Sequence, residues 1–107
     1  MTTTSTAPVF AALGDPHRQQ LLTLLARGGA ASASSLAPSL PVSRQAVDRH
    51  LRILSSAGLV EPRRSGREVL YSVRRAELDR SAAWLRDLAD GWDRRLSAIK
   101  AAAEAPE

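Results

Sequence analysis

The stretch V-S-R-Q-A-V-D-R-H-L-R-I-L-S-S-A-G-L-V, from Val42 to Val60, carries its own start and stop signals and so fixes one helix before the rest of the chain is considered. Ser43 can cap that helix by accepting from the free N–H groups of the first turn, and Val42 can close on Val47 as a hydrophobic staple. Gly58 supplies the left-handed residue that ends a helix, and Leu59 can fold back on Leu54 in a Schellman stop. These signals predict a helix over about Arg44 to Ala57. Val47, Leu51 and Leu54 recur on one side of it, while Gln45, Asp48, Arg49 and Arg52 line another, with Arg44 beside them.

The polar side has the residue types that match the edges of DNA bases. Arg forks onto guanine, Gln pairs bidentately with adenine, and Asp accepts from the amino group of cytosine. The same residues also suit a plain solvated face, with an i, i+4 attraction between Arg44 and Asp48 or between Asp48 and Arg52. The flanking sequence separates the two readings.

Residues 1–7 are rich in Thr and Ser and are expected to form a flexible tail. Val9 to Leu13 reads as one or two helical turns. In Gly14-Asp15-Pro16, Asp15 suits an N-cap and Pro16 the first helical position, where its missing N–H costs nothing. Leu21, Leu22, Leu24 and Leu25 then face inward, and Gly28-Gly29 ends that helix after Arg27. A shorter helix is expected between Ser32 and Leu40, capped by Ser32 or Ser34 and made irregular by Pro38. Pro41-Val42-Ser43 turns tightly into the Arg44 helix. Two helices joined by about three residues, the second with a polar forward face, form a helix-turn-helix pattern.

Beyond Gly58 the period changes from helical to alternating. Val60 to Arg64 and Glu68 to Val73 have strand character, with Val69, Tyr71 and Val73 on one face. Arg63-Arg64-Ser65-Gly66-Arg67 is expected as the turn between them, the basic tip of a β-hairpin "wing". Arg63, Arg64 and Arg67 would hold phosphate or enter the minor groove.

Residues 76–103 contain no Pro and read as a long helix. Leu78, Ala82, Leu85, Ala89, Trp92, Leu96 and Ile99 repeat in steps of four and three, and Trp84 and Leu88 widen the stripe. At ~1.5 Å per residue the helix is roughly 40 Å long, longer than so small a core can cover, so the surplus seam asks for a second chain. The alternative buries Trp84 and Trp92 within one subunit. The division expected is a tail at 1–7, one domain at 8–103 whose C-terminal dimerisation helix is 76–103, and a tail at 104–107.

Composition agrees with one small DNA-binding domain. The chain has 107 residues, enough for a single core. It has no cysteine, which removes disulfides and thiolate chemistry. No apolar run approaches the roughly 20 residues of a membrane span, and the N-terminus lacks the pattern of a signal peptide, so the expected location is the cytoplasm. From Arg44 to Arg75 there are eight arginines against Asp48, Glu61 and Glu68, whereas residues 76–107 hold five basic and seven acidic residues. The positive charge therefore sits on the middle third, where it favours a polyanion and makes binding salt-dependent.

Four stretches in order, Ala12-Leu13-Gly14-Asp15-Pro16-His17-Arg18, Leu40 to Val47, His50 to Val60 and Gly66 to Tyr71, resemble the ArsR/SmtB family of winged-helix transcriptional regulators, and the likeness spans about Val9 to Ile99. The resemblance implies a mainly α fold with a small β-hairpin, dimeric through its first and last helices. It also implies the Arg44 helix in the major groove and the wing on the backbone. The expected DNA-binding residues are Ser43, Arg44, Gln45, Asp48, Arg49 and Arg52 on the helix and Arg63, Arg64 and Arg67 on the wing. The expected dimer interface is Val9, Leu13, Leu85, Trp92, Leu96 and Ile99.

The family's metal sensors carry a Cys-containing site that would fall near Ser32 to Leu36, where only Ser, Ala and Leu stand. Their other site needs His on the last helix, which has none. His17 and His50 lie in different helices with no third ligand at a useful spacing in sequence, so His50 is expected as a half-buried packing residue and His17 as a surface one. The chain looks like the non-metal branch: a repressor binding double-stranded DNA as a homodimer, with no cofactor and no membrane partner. The dimer cleft near Trp84, Leu88 and Trp92 is the place for any small-molecule effector, although those residues serve equally as core. A winged-helix protein-interaction module is the competing reading. No nucleophile, metal cluster or phosphate loop points to an enzyme.

Overall fold

The computed structural model describes residues 5–105; the expected tails at 1–4 and 106–107 lie outside the described residues. The chain is already helical at Ala7, in α1 (Ala7–Leu13), which has a Pro in its first turn. In α2 (Pro16–Gly28), Oδ1 of Asp15 accepts from the backbone N–H groups of His17 at 2.8 Å and Arg18 at 3.2 Å, and Pro16 begins the helix as expected. Leu21, Leu22 and Leu25 are buried, with Leu24 half-buried beside them.

A two-residue strand that the sequence analysis did not anticipate follows: β1 (Ala31–Ser32). Ser32 then caps the four-residue α3 (Ala33–Leu36), exchanging hydrogen bonds with Ser35 in a capping box. Pro38 is absorbed in a 3₁₀ turn at Ala37–Ser39, the irregularity its ring demands.

Next comes α4 (Arg44–Ser56), whose two ends match the capping signals. Ser43 Oγ accepts from the Ala46 N–H at 3.1 Å. At the C-terminus Gly58 has φ +79, the Leu59 N–H donates to the Leu54 carbonyl and the Gly58 N–H donates to the Ser55 carbonyl, each at 3.0 Å. Those two bonds are the pair that defines a Schellman stop.

The hairpin is β2 (Val60–Ser65) and β3 (Glu68–Val73), and β1 pairs with the far side of β3 to give an antiparallel sheet in the order β1-β3-β2. Ser65 pairs with Glu68, so the loop is only Gly66-Arg67, with Gly66 at φ +62. This corrects the expected five-residue basic turn. Arg63 and Arg64 belong to β2, opposite Leu70 and Val69, and as neighbours on a strand they point to opposite faces of the sheet.

One core joins these elements: Val9, Leu21, Leu25, Leu36, Leu40, Val47, Leu51, Leu54, Leu59, Val60 and Tyr71 are all buried. Val9 is 1% exposed inside a single subunit, so its expected place on a dimer surface is corrected. Leu13 is half-buried against the same core. The buried residues of α1, Val9 and Ala12, go to its own subunit's core, while half-buried Phe10 lies 5.5 Å, ring centre to ring centre, from Trp84 of the last helix.

The last helix, α5 (Arg75–Glu104), is 30 residues and thus about 45 Å long. Only its first turns touch the core, through half-buried Leu78 and buried Ser81. Beyond them Trp84, Leu85, Leu88, Trp92, Leu96 and Ile99 are 44–58% exposed, so Trp84 and Trp92 are not buried within one subunit. The helix reaches away from the body: the molecule extends 74 Å along its long axis. Its radius of gyration is 19.3 Å, against about 13 Å for a compact chain of this length.

Candidate nucleic-acid interface

The polar face of α4 is held outward by the burial of its opposite side. Val47, Leu51 and Leu54 have no exposed surface, which fixes the rotation of α4 about its axis and turns Arg44, Gln45, Arg49 and Arg52 into solvent, with Asp48 half-exposed. Of the two expected ion pairs, the one that forms among the described residues is Asp48–Arg52, at 3.8 Å. Arg44, Gln45 and Arg49 make no side-chain hydrogen bond or ion pair there.

A groove lined by Ser32, Ser34, Arg44, Asp48, Arg67 and Tyr71 runs between the start of α4 and the hairpin. It brings Arg44 of the helix and Arg67 of the wing tip to one surface, although 23 positions separate them in sequence. Arg63 and Arg64 are exposed along the arm. Burial pushes the Tyr71 phenol above its usual range, the Asp48 carboxylate adds to the rise and Arg52 opposes it.

Behind the polar face of α4 lies an arrangement that sequence reasoning missed. The Arg18 guanidinium donates from Nε to the Ala12 carbonyl at 2.6 Å and from Nη2 to the Ala11 carbonyl at 3.4 Å, and its Nη1 lies 3.2 Å from Nδ1 of His50. Arg18 thus ties the last carbonyls of α1 to the middle of α4. Its position one turn after the cap at Asp15 was the available sign.

His50 is 6% exposed, more deeply buried than expected. Burial lowers its pKa; the Asp15 carboxylate pulls the other way, and Arg18, His17 and Arg49 depress it further. The Asp15 carboxyl is partly desolvated, which opposes ionisation, yet the Arg18 and His17 backbone N–H groups and the nearby cations leave it below its usual value. His17 and His50 prove not to be isolated. Their rings are 5.7 Å apart, Nδ1 of His17 is 3.9 Å from Oδ1 of Asp15, and one potential ligand atom from each of Asp15, His17 and His50 lies within 4.8 Å of the others. This corrects the reading that no third ligand accompanies the two histidines, because tertiary contact between α2 and α4 supplies what sequence spacing does not.

Known proteins are similar to this chain in sequence and in fold. A model described as a helix-turn-helix domain matches residues 13–63. The transcriptional repressor SdpR of Bacillus subtilis (strain 168) is 34% identical over 77 residues, covering 72% of this chain and 84% of the relative. An ArsR-like transcriptional regulator from Rhodococcus sp. RHA1 superposes with a TM-score of 0.83 at 50% identity and covers 94% of each chain. The homodimeric winged helix-turn-helix DNA-binding domain of Mb0332 from Mycobacterium bovis, a possible ArsR-family regulator, superposes at 0.64 with 29% identity, covering 84% of this chain and 91% of that one.

Proposed function

This chain belongs to the ArsR/SmtB family of winged helix-turn-helix transcriptional regulators, and from that premise we propose that it is a repressor that binds an inverted-repeat operator as a homodimer. The observation that carries this reading is the division of α4 into an apolar underside and an outward face of Arg44, Gln45, Asp48, Arg49 and Arg52. In the proposed complex that face enters the major groove and discriminates base edges, each well-formed bidentate contact being worth about 1–3 kcal/mol. Ser43 and Arg63, Arg64 and Arg67 of the hairpin hold the backbone and the neighbouring minor groove, which sets register without reading sequence.

The second subunit is proposed to cover the exposed stripe of Leu85, Leu88, Trp92, Leu96 and Ile99 on α5. A contiguous apolar face of that size is rare on a monomer, and the Mb0332 domain is homodimeric. A twofold axis there would set two α4 helices toward successive major grooves. Regulation is not proposed to run through the family's thiolate and last-helix metal sites, because residues 32–36 hold no Cys and α5 no His. Among the described residues no helix is long and apolar enough to cross a membrane, in keeping with a proposed place in the cytoplasm.

A fluorescence anisotropy titration on the DNA upstream of its own gene tests the proposal. Tight, salt-sensitive binding by the dimer is expected, with at least a tenfold loss for Gln45→Ala plus Arg49→Ala. Absence of binding at low salt, or indifference to the double substitution, overturns it.

A further inference from the structure

We propose that Asp15, His17 and His50 form a site for a divalent transition metal, and that a metal there and the Arg18 guanidinium exclude one another. Two imidazoles and one carboxylate are ligands that suit Zn²⁺, Co²⁺ or Ni²⁺, and three protein ligands leave a position open to water. The three come from two elements: Asp15 and His17 from the start of α2, His50 from the middle of α4. Buried His50 is the fixed member, while half-exposed Asp15 and His17 form the entrance. Ligand atoms within 4.8 Å of one another must close to about 3.3 Å for a tetrahedral Zn²⁺. Rotation of the half-exposed His17 side chain supplies that movement, while the capping hydrogen bonds hold Asp15 in place.

The exclusion follows from the chemistry of the two side chains. Arg carries only donors, so Nδ1 of His50 must present its lone pair to Nη1, which leaves the proton of the neutral ring on Nε2. A metal at Nδ1 takes that lone pair. A metal at Nε2 instead requires the ring proton on Nδ1, where it would face the guanidinium. In either case the Arg18–His50 hydrogen bond is lost, while Arg18 keeps the Ala11 and Ala12 carbonyls. The metal would thus cut the link from α1 to α4 and replace it with one from α2 to α4, at the residue next to Arg49 of the reading face. The positive end of α2 and the Arg18 charge both oppose a cation here, so removing the Arg18 charge should tighten binding.

The test is a Co²⁺ titration of the full chain, free of any affinity tag and without DNA, so that its outcome is separate from that of operator binding. One Co²⁺ per subunit, with a visible d–d spectrum that Zn²⁺ abolishes by displacement, is expected. His17→Ala, and Asp15→Asn with its retained capping ability, should each weaken binding by about tenfold or more, the scale on which even outer-shell partners act. Arg18→Met should tighten it. Should that variant not fold, the ¹⁵N shifts of the His50 ring in the wild type provide the reading, with Nε2 protonated before Zn²⁺ and a changed ring state after it. No Co²⁺ binding, or affinity that His17→Ala and Asp15→Asn leave unchanged, overturns the site. No gain in Arg18→Met, or a His50 ring that Zn²⁺ does not alter, overturns the exclusion.

Discussion

Glu77 fills the space that a side chain at Gly58 would need: a Cβ on Gly58 would stand 2.9 Å from Cγ of Glu77. Glu77 is itself held by an ion pair with Arg80, one turn along α5. The stop of α4 and the start of α5 are therefore packed on one another, and the Arg74 N–H donating to the Leu59 carbonyl at 2.9 Å reinforces the joint.

Gly58→Ala meets two obstacles, the positive φ and the Glu77 side chain. The left-handed backbone alone should cost about 1–2 kcal/mol in urea unfolding. Glu77→Ala in the same chain should recover the steric part and leave the backbone part. Equal stability of Gly58→Ala and wild type would show that the turn does not constrain this joint.

The cap at Ser43 separates stability from DNA contact. Ser43→Ala should lose about 1 kcal/mol, whereas Ser43→Asp still accepts from the Ala46 N–H and should stay within about 0.5 kcal/mol of wild type. The added negative charge should nonetheless weaken operator binding, since position 43 would face phosphate. Thermal unfolding and anisotropy on the same two variants check both halves.

Arg67 and the pair Gln45/Arg49 should fail in different ways. Arg67→Ala, at the hairpin tip, is expected to weaken operator and random DNA alike and to lower the slope of log affinity against log salt by about 1. Gln45→Ala and Arg49→Ala should each cost about 1–3 kcal/mol on the operator and far less on random DNA. A salt series on both DNAs distinguishes a phosphate contact from a base contact.

Trp92→Glu places a charge in the middle of the exposed stripe of α5 without touching the core. Sedimentation should show a monomer at concentrations where the wild type is a dimer, with operator affinity falling accordingly. Val9→Ala is the control: its side chain lies inside one subunit, so stability should drop by about 1–3 kcal/mol with dimerisation intact. Dissociation by Val9→Ala rather than Trp92→Glu would reverse the assignment of the two surfaces.

What could be read directly from the residues was set by hydrogen bonds and side-chain repeats spanning a few positions. The caps at Asp15 and Ser43, the Schellman stop at Gly58 and the apolar underside at Val47, Leu51 and Leu54 are all interactions between residues within a turn or two. The exposed stripe from Leu85 to Ile99 was legible for the same reason, as a repeat within one helix.

Other features depend on which distant segments meet, and no local period records that. The strand at Ala31–Ser32 is too short to show alternation and exists because β3 offers it an edge at Tyr71 and Leu70. The loop shrank to two residues once the register paired Ser65 with Glu68, which leaves Arg63 and Arg64 wholly in the strand and out of the turn. Val9 points inward because α1 turns Val9 and Ala12 together onto the core that α2 and α4 build. Asp15, His17, Arg18 and His50 converge only because α2 crosses α4, so a separation of 32 positions between Arg18 and His50 hid a cluster that a few ångströms of tertiary contact create.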